Sequence, residues 1–186
     1  LGALMRRVTG ENLPLMKVMM NGDSVTYYAN RAQHVVVYQL QPGEVLSIES
    51  ENILAFTPDC KYDVRFIGCG VISQKGLATS TLTGEGPNAY VAILIDGNPI
   101  VLSNIQTGTT LAVDSDAVVC WMGNGYCDPD VKMDVNWKTF IGQASGESYS
   151  FEWNPRQPVT VIIQPNERAS GINFGMDGGS LGHRPN

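Results

Sequence analysis

The sequence predicts an all-β fold with little or no helix, and three observations support this prediction. Of the 186 residues, 43% are hydrophobic and only 16% are charged, so the chain can form a core and is not disordered as a whole. The 20 glycines and 10 prolines leave little room for long helices. Short apolar segments separated by turn residues, about every eight to twelve positions, are typical of a β-sandwich or barrel.

In the first half of the chain, the predicted elements begin with a turn and continue as short strands. Asn21-Gly22 is a dipeptide that favours a tight hairpin turn. Residues 35–38 and 53–56 are continuously apolar, which predicts strands buried on both faces. The next strand should bury one face only, because its apolar residues alternate with charged ones: Tyr62, Val64 and Phe66.

The second half of the chain has the same kinds of segment. Asp96-Gly97 predicts another hairpin turn, and residues 118–121 predict another strand buried on both faces. Alternating apolar residues predict three further strands: Val131, Met133, Val135 and Trp137; Tyr149, Phe151 and Trp153; and Val159 and Val161.

Similar segments recur along the chain at nearly constant spacing. Residues 42–56 and 107–121 have the same pattern of turn, strand and apolar strand, and one offset relates Gly43 to Gly108 and Phe56 to Trp121. Lys61 and Lys132 each start a Lys-x-Asp-Val segment, but their offset is larger, which indicates a six-residue insertion at residues 124–129. A third marker occurs three times, as Thr9-Gly10-Glu11, Thr83-Gly84-Glu85 and Ser145-Gly146-Glu147. These matches predict repeated modules that pack side by side.

The predicted organisation is one all-β domain with a tail. Residues 1–170 form the domain, built of three β-sandwich or barrel-like modules at about 1–70, 71–137 and 138–170, the last one short. Residues 171–186 are rich in glycine and poor in apolar residues, which predicts a surface tail.

The ordered motifs resemble those of the altered-inheritance-of-mitochondria twenty-four family, which is widespread and mostly bacterial. The matching segments include Pro42-Gly43-Glu44-Val45-Leu46, Leu54-Ala55-Phe56 and a closing strand that ends at Gln164, and the resemblance covers residues 4–164. It implies a double-stranded β-helix type of fold similar to the tryptophan RNA-binding attenuation protein. It also implies assembly of the chain into a homotrimeric ring. The family's biochemical activity is not established, so the resemblance implies fold and assembly rather than chemistry.

Charge and cysteine content exclude several classes of function. The net charge of −6 and the scattered basic residues argue against nucleic-acid binding. Cys60, Cys69, Cys120 and Cys127 form no C-x-x-C pair, which argues against a structural metal and predicts reduced thiols in the cytoplasm. The longest apolar run, at residues 90–95, is too short to span a membrane.

Motifs that suggest catalysis do not meet the structural requirements of catalysis. Gly178-Gly179-Ser180-Leu181-Gly182 matches the G-x-S-x-G pattern and precedes His183, but it lies in the tail rather than between a strand and a helix. His34 has no identifiable catalytic partner, and we interpret it as a structural residue at a strand edge. We therefore predict no catalytic, cofactor-binding or metal-binding residues and no cofactor.

Several other residues allow two interpretations. Glu11, Glu85 and Glu147 either form a ring of carboxylates for cations or a basic partner, or bind turn N–H groups at strand starts, and we favour the second. Asp128 and Asp130 suggest a divalent-ion pair, but a solvated loop fits better. Core or interface packing is the favoured interpretation for two further sets: Met16, Met19 and Met20; and Trp121, Trp137 and Trp153.

The function predicted from sequence is that of a non-enzymatic, oligomeric β protein with a scaffold or binding role, whose partners are its own copies and other proteins. Two alternatives stay open. One is an RNA-binding ring protein by analogy of fold, although Lys61 and Lys132 are the only basic pair that recurs between modules. The other is a small-ligand-binding protein or enzyme with a pocket between modules.

Overall fold

The computed structural model describes residues 15–30, 32–67, 78–133 and 149–165. These residues form twelve β-strands, one short α-helix and two single-turn 3-10 helices. The strands of the first half are β1 (His34–Gln39), β2 (Glu44–Ile48), β3 (Ile53–Phe56), β4 (Cys60–Phe66), β5 (Ala78–Gly84) and β6 (Tyr90–Ile95). Those of the second half are β7 (Ile100–Ser103), β8 (Leu111–Asp114), β9 (Val118–Asn124), β10 (Asp130–Met133), β11 (Tyr149–Trp153) and β12 (Thr160–Ile163). The helix α1 is Asn104–Thr107, and the 3-10 helices are Ser50–Asn52 and Ser115–Ala117.

The strands form three antiparallel sheets, so the predicted all-β fold is confirmed. A six-stranded central sheet has the order β4-β5-β2-β9-β12-β7. Two three-stranded sheets have the orders β1-β6-β3 and β10-β11-β8. The pairing of β2 with β9, from Glu44 opposite Asn124 to Ile48 opposite Cys120, joins the two halves of the chain.

Two hydrophobic cores lie on opposite faces of the central sheet, and β9 contributes to both. Cys120 and Met122 belong to the first core, with β2, β3 and β6, whereas Trp121 belongs to the second core, with β8, β11 and β12. Successive side chains of a strand point to opposite faces, so the two cores must lie on opposite sides of β9. The burial of residues 118–121 on both faces, predicted from their continuous apolar character, is confirmed.

The first core is completed by residues from the second half of the chain. Four of its buried members come from β9 and β12: Val119, Cys120, Met122 and Ile162. The remaining members lie between Leu40 and Ile95. The two halves are therefore joined by apolar packing as well as by strand pairing.

The prediction that residues 35–38 are buried on both faces is wrong. They lie in β1, which is the outermost strand of its sheet, and Val35 and Val37 are exposed while Val36 and Tyr38 pack against the first core. Residues 53–56 depart less from the prediction, because Ile53 is buried and the other three are partly exposed. A continuous apolar run does not distinguish a central strand from an edge strand.

The predicted hairpins at Asn21-Gly22 and Asp96-Gly97 do not form. Gly97 has the positive φ of 83° that favours glycine, but the strands on either side of it, β6 and β7, pair with other strands and not with each other. Gly22 has a φ of 77°, and residues 15–30 around it form no strand. Both dipeptides therefore bend the chain locally without forming a two-stranded ribbon.

The β3–β6 and β9–β12 ladders share an irregularity. In the β3–β6 ladder, Leu54 of β3 has no opposite residue in β6. In the β9–β12 ladder, Val119 of β9 has no opposite residue in β12. Each of the strands β3 and β9 directly follows a 3-10 helix. The irregularity is a β-bulge, which bends the strand and increases its twist.

Candidate functional site

Two edge strands at the described surface, β1 and β7, are apolar and uncharged. Val37 in β1 is 65% exposed and Val101 in β7 is 62% exposed, and each strand lies at the edge of its sheet. Neither β1 nor β7 contains Lys, Arg, Asp or Glu. Edge strands of stable monomers are usually protected by charges, prolines or bulges, because their free N–H and C=O groups can pair with another chain. These two edges are therefore suited to contact with other polypeptides.

The helix α1 extends the apolar surface beyond β7. The Ser103 hydroxyl accepts a hydrogen bond from the backbone N–H of Ile105 at 3.2 Å, which caps the first turn, and Gly108 ends the helix with a φ of 61°. Ile105 is 64% exposed, whereas its neighbour Asn104 is buried. The turn thus presents one apolar side chain to solvent and directs one polar side chain into the protein.

Asn104 holds the loop between β11 and β12 in place. Its Nδ2 donates hydrogen bonds to the carbonyl oxygens of Asn154, at 3.1 Å, and Gln157, at 2.9 Å. Its Oδ1 accepts a hydrogen bond from the backbone N–H of Val159 at 2.9 Å. One buried amide therefore satisfies three backbone groups of a neighbouring segment.

Residues 15–30 add a second exposed apolar surface. Every residue of this segment is exposed, including Met16, Met19 and Tyr27, at 81%, 77% and 92%. Of the two roles predicted together for the methionines, core packing is excluded by this exposure, and interface packing stays a prediction. Flexible Met side chains can adapt to the shape of a partner.

A partly buried ion pair connects the two halves of the chain at the predicted insertion. Arg65 Nη2 lies 2.8 Å from Asp128 Oδ2, and the guanidinium stacks on the Tyr126 ring at 3.6 Å from its centroid. The interpretation of this loop as solvated therefore needs a correction at Asp128, which is partly buried and has a structural partner in Arg65. Sequence spacing could not reveal the pair, because its members lie far apart along the chain.

Of the three Gly-Glu carboxylates, Glu11 and Glu147 lie outside the described residues. Glu85 is exposed, its Oε1 lies 3.8 Å from Lys61 Nζ, and its backbone N–H donates a hydrogen bond to the Asp59 carbonyl oxygen. A Cβ on the preceding Gly84 would lie 2.5 Å from the Gln41 carbonyl oxygen, so close packing rather than a positive φ requires glycine here.

The described cysteines are poor nucleophiles. Cys60, Cys120 and Cys127 are free thiols in buried positions. Burial raises the pKa of all three thiols, and that of Cys127 reaches about 11, with the nearby Asp128 and Glu44 carboxylates adding to the effect. Because the thiolate is the reactive form, these residues are suited to packing rather than to covalent chemistry.

The remaining predicted residues lie in the core or at an edge. Trp121 and Trp153 pack with Phe151 at ring-centroid distances of 5.9 to 6.1 Å, so their predicted core role is confirmed. His34 begins the edge strand β1 and is exposed. Within the described ranges, no group of three His, Cys, Asp or Glu residues is arranged to hold a metal ion. Trp137, Cys69, His183 and residues 178–182 lie outside those ranges.

Tyr38 and Glu44 form a polar contact beside the uncharged edge of β1. The Tyr38 hydroxyl donates a hydrogen bond to Glu44 Oε1 at 3.1 Å, and the backbone N–H of Gln41 donates to Glu44 Oε2 at 2.9 Å. Burial, with the Glu44 charge as the second cause, raises the pKa of Tyr38 to about 12. This contact fixes the turn between β1 and β2.

Comparison with known proteins gives a family and a fold. The sequence profile of the family described as mitochondrial biogenesis AIM24 matches residues 1–166. A Streptococcus pyogenes protein of known crystal structure is similar in fold, with a TM-score of 0.50 and 18% identity over 72% of this chain. This chain spans 55% of that protein's length. No curated protein matches the sequence. In the part of the chain that the structure describes, no helix is long and apolar enough to cross a membrane.

Proposed function

The chain belongs to the mitochondrial biogenesis AIM24 family, and from this premise we propose that it is a non-enzymatic, oligomeric β protein with a scaffold or binding role. The observation that carries the proposal is the pair of apolar, uncharged edge strands β1 and β7, with Val37 and Val101 largely exposed. Exposed apolar edges are costly in water unless another chain covers them.

Other features of the described residues support a binding role over a catalytic one. The thiols are buried and protonated at neutral pH. Lys61, one of the two basic residues on which the RNA-binding alternative depended, lies beside the Glu85 carboxylate. The free thiols of Cys60, Cys120 and Cys127 agree with a reducing compartment, and we propose the cytoplasm.

Native mass spectrometry of the purified protein, in volatile buffer without chelator, tests the proposal. We expect a homotrimer, as the family resemblance implies, with no mass beyond that of the polypeptides. A monomer would overturn the oligomeric proposal. Excess mass on any species would reveal a bound ligand and favour the small-ligand alternative.

A second experiment tests the binding role of the edges. Proteins that copurify with the wild type are compared with those that copurify with Val101→Lys and Ile105→Lys. Gln106→Lys is the matched control, since Gln106 is an exposed polar neighbour in the same helix. Partners that bind this edge should be lost from the first two variants and retained by the control. An unchanged set of partners in all variants would contradict the binding role of this edge.

A further inference from the structure

Strands β1–β6 and β7–β12 hold corresponding places in the fold. The order β1-β6-β3 corresponds to β7-β12-β9, and the order β4-β5-β2 corresponds to β10-β11-β8. The registers agree as well, because Phe56 lies opposite Val91 and its counterpart Trp121 lies opposite Val161. The skipped residues Leu54 and Val119 also correspond. This division into two six-strand halves differs from the three modules predicted from sequence, which stay a prediction.

The correspondence shows which strand edges join the two halves. Within the chain, β2 of the first half pairs with β9 of the second half, with Leu46 opposite Met122 and Ser47 opposite Trp121. The corresponding strands are β8 and β3. Each lies at the edge of its three-stranded sheet, and no described strand pairs with its outer side. The described part of the chain therefore contains one filled junction and both halves of a second junction that no described strand fills.

Side chains at the filled junction are buried, whereas the corresponding side chains at the open junction are partly exposed. In the filled junction, Val119, Cys120, Met122 and Ile162 of the second half are buried against the first core. The corresponding residues of the first half are all partly exposed: Leu54, Ala55, Thr57 and Ala92. Three of these four are apolar, which suits them to packing against another core.

The second core has a matching opening. Leu46 in β2 is fully buried beside Met122, but the corresponding Leu111 in β8 is partly exposed. Ala112, which corresponds to the buried Ser47, is exposed. Ala112 carries no charge that would oppose the pairing of this edge with another strand.

We propose that a second copy of this chain fills the open junction, its β3 pairing antiparallel with β8 of the first copy. The internal register transfers directly, so Ala112 of the first copy lies opposite Phe56 of the second copy, and Val113 opposite Ala55. The outer face of β3 and β6 in the second copy then covers Leu111 and completes the second core. The proposal rests on the oligomeric function proposed above and assigns self-assembly to the β3 and β8 edges, which leaves the β1 and β7 edges for other protein partners.

The occupant is a second copy because each chain carries both complementary surfaces. A contact of this kind is head-to-tail, since one copy contributes β8 and the next contributes β3. Head-to-tail contacts generate a closed ring when the rotation closes and a filament when it does not. The proposed trimer is the ring of three such contacts.

A charge at the junction provides the first test. Ala112→Lys places an ammonium group where the second copy would bury it, whereas Asn98→Lys adds the same charge at an exposed turn outside every strand. We expect Ala112→Lys to raise the dissociation constant of the oligomer at least about tenfold, because burying an unpaired charge costs more than the 1.4 kcal/mol that corresponds to tenfold. Light scattering over a concentration series measures this constant, and circular dichroism checks that both variants fold.

Disulfide cross-linking provides the second test. Directly opposed residues in an antiparallel pair have Cβ atoms about 4.5–5.5 Å apart, close enough for a disulfide after small adjustment. We therefore combine Ala55→Cys with Val113→Cys in one chain, with Cys69→Ser in every variant to remove the thiol that lies outside the described residues. Oxidation of this double variant should give covalent oligomers up to the size of the assembly. An equimolar mixture of the two single variants should stop at covalent dimers.

The outcomes separate the interface from the function. A monomeric wild type would overturn both proposals. If the wild type is oligomeric, but Ala112→Lys is as oligomeric as Asn98→Lys and the double variant gives no cross-links, the oligomeric function stands and the β3–β8 interface is wrong. Loss of assembly in Ala112→Lys alone, together with the cross-linking pattern described above, supports the interface.

Discussion

Replacement of Asn104 should destabilise the fold strongly, although the residue lies in a four-residue helix beside the surface. Asn104→Ala removes three hydrogen bonds, two to carbonyl oxygens of the β11–β12 loop and one from the buried N–H of Val159. At about 1 kcal/mol net for each bond, the loss is about 3 kcal/mol. For a chain of this size this corresponds to a fall in Tm of about 6–12 °C.

The assay is urea or thermal unfolding at fixed protein concentration, because assembly itself raises the apparent stability. Asn154→Ala is the matched control, since the Asn154 side chain is exposed and bonds only to the nearby backbone N–H of Arg156 among the contacts described. Asn104→Asp is a second probe. The new carboxyl group keeps an oxygen that accepts from the Val159 N–H, but its second oxygen faces the carbonyl oxygens of Asn154 and Gln157. Repulsion between these oxygens disfavours the ionised form of the carboxyl in the folded state.

The pH dependence of the Asn104→Asp variant has a definite sign. The folded-state pKa of the new carboxyl is raised, so its protonated form is retained on folding and stability is highest below the unfolded value of about 3.9. Stability should therefore fall as the pH rises from this value through the higher pKa of the folded state. A loss of less than about 1 kcal/mol in Asn104→Ala, equal to that of Asn154→Ala, would refute the reasoning, because the loop would then be held by other contacts.

Three further perturbations have definite expectations. Trp153 Nε1 donates to the Cys127 carbonyl oxygen at 2.9 Å, whereas Trp121 Nε1 is buried and has no hydrogen-bond partner among the described residues. Trp153→Phe should therefore cost about 1 kcal/mol more unfolding free energy than Trp121→Phe, and equal costs in denaturant titrations would contradict this. Asp128→Asn should lower the unfolding free energy by about 1–2 kcal/mol, because it breaks the partly buried ion pair with Arg65. Glu85→Gln weakens only an exposed ion pair with Lys61, so it should lower the unfolding free energy by less than about 0.5 kcal/mol in the same measurement. The unfolding free energy should fall as the pH rises from 9.0 towards about 11, because the Cys127 thiol ionises at a lower pH in the unfolded chain than in the folded protein. Cys127→Ala should make this fall less steep. An unchanged pH dependence would show that other groups cause it.

The sequence predicted the fold class well because strand burial follows directly from side-chain chemistry. Alternation placed Phe151, Trp153 and Val161 in the core, and the continuous run at residues 118–121 is buried on both faces. The same rule failed for β1, where an equally apolar run is an edge strand. Whether another strand covers a given edge depends on pairings between distant segments, such as β6 with β1, and the pattern within one strand carries no information about them.

The candidate site was harder to predict than the fold. Sequence patterns directed attention to Glu85, His34 and Met16, because charged and polarisable side chains are the usual carriers of chemistry. The exposed Val37 and Val101 have no chemical signature at all, and their importance depends only on their place at sheet edges. The strand order in the structure identifies them, since they lie in the corresponding edge strands β1 and β7.

Because β9 belongs to both cores, the two halves of the chain cannot unfold independently. The turn at residues 96–99 separates β6 from β7 and resembles a boundary where the chain could be divided. Division there would deprive the first core of Met122 and leave Leu46 without its cover. The molecule should therefore melt in a single cooperative transition, and its halves should be recoverable as folded fragments only when both are present together.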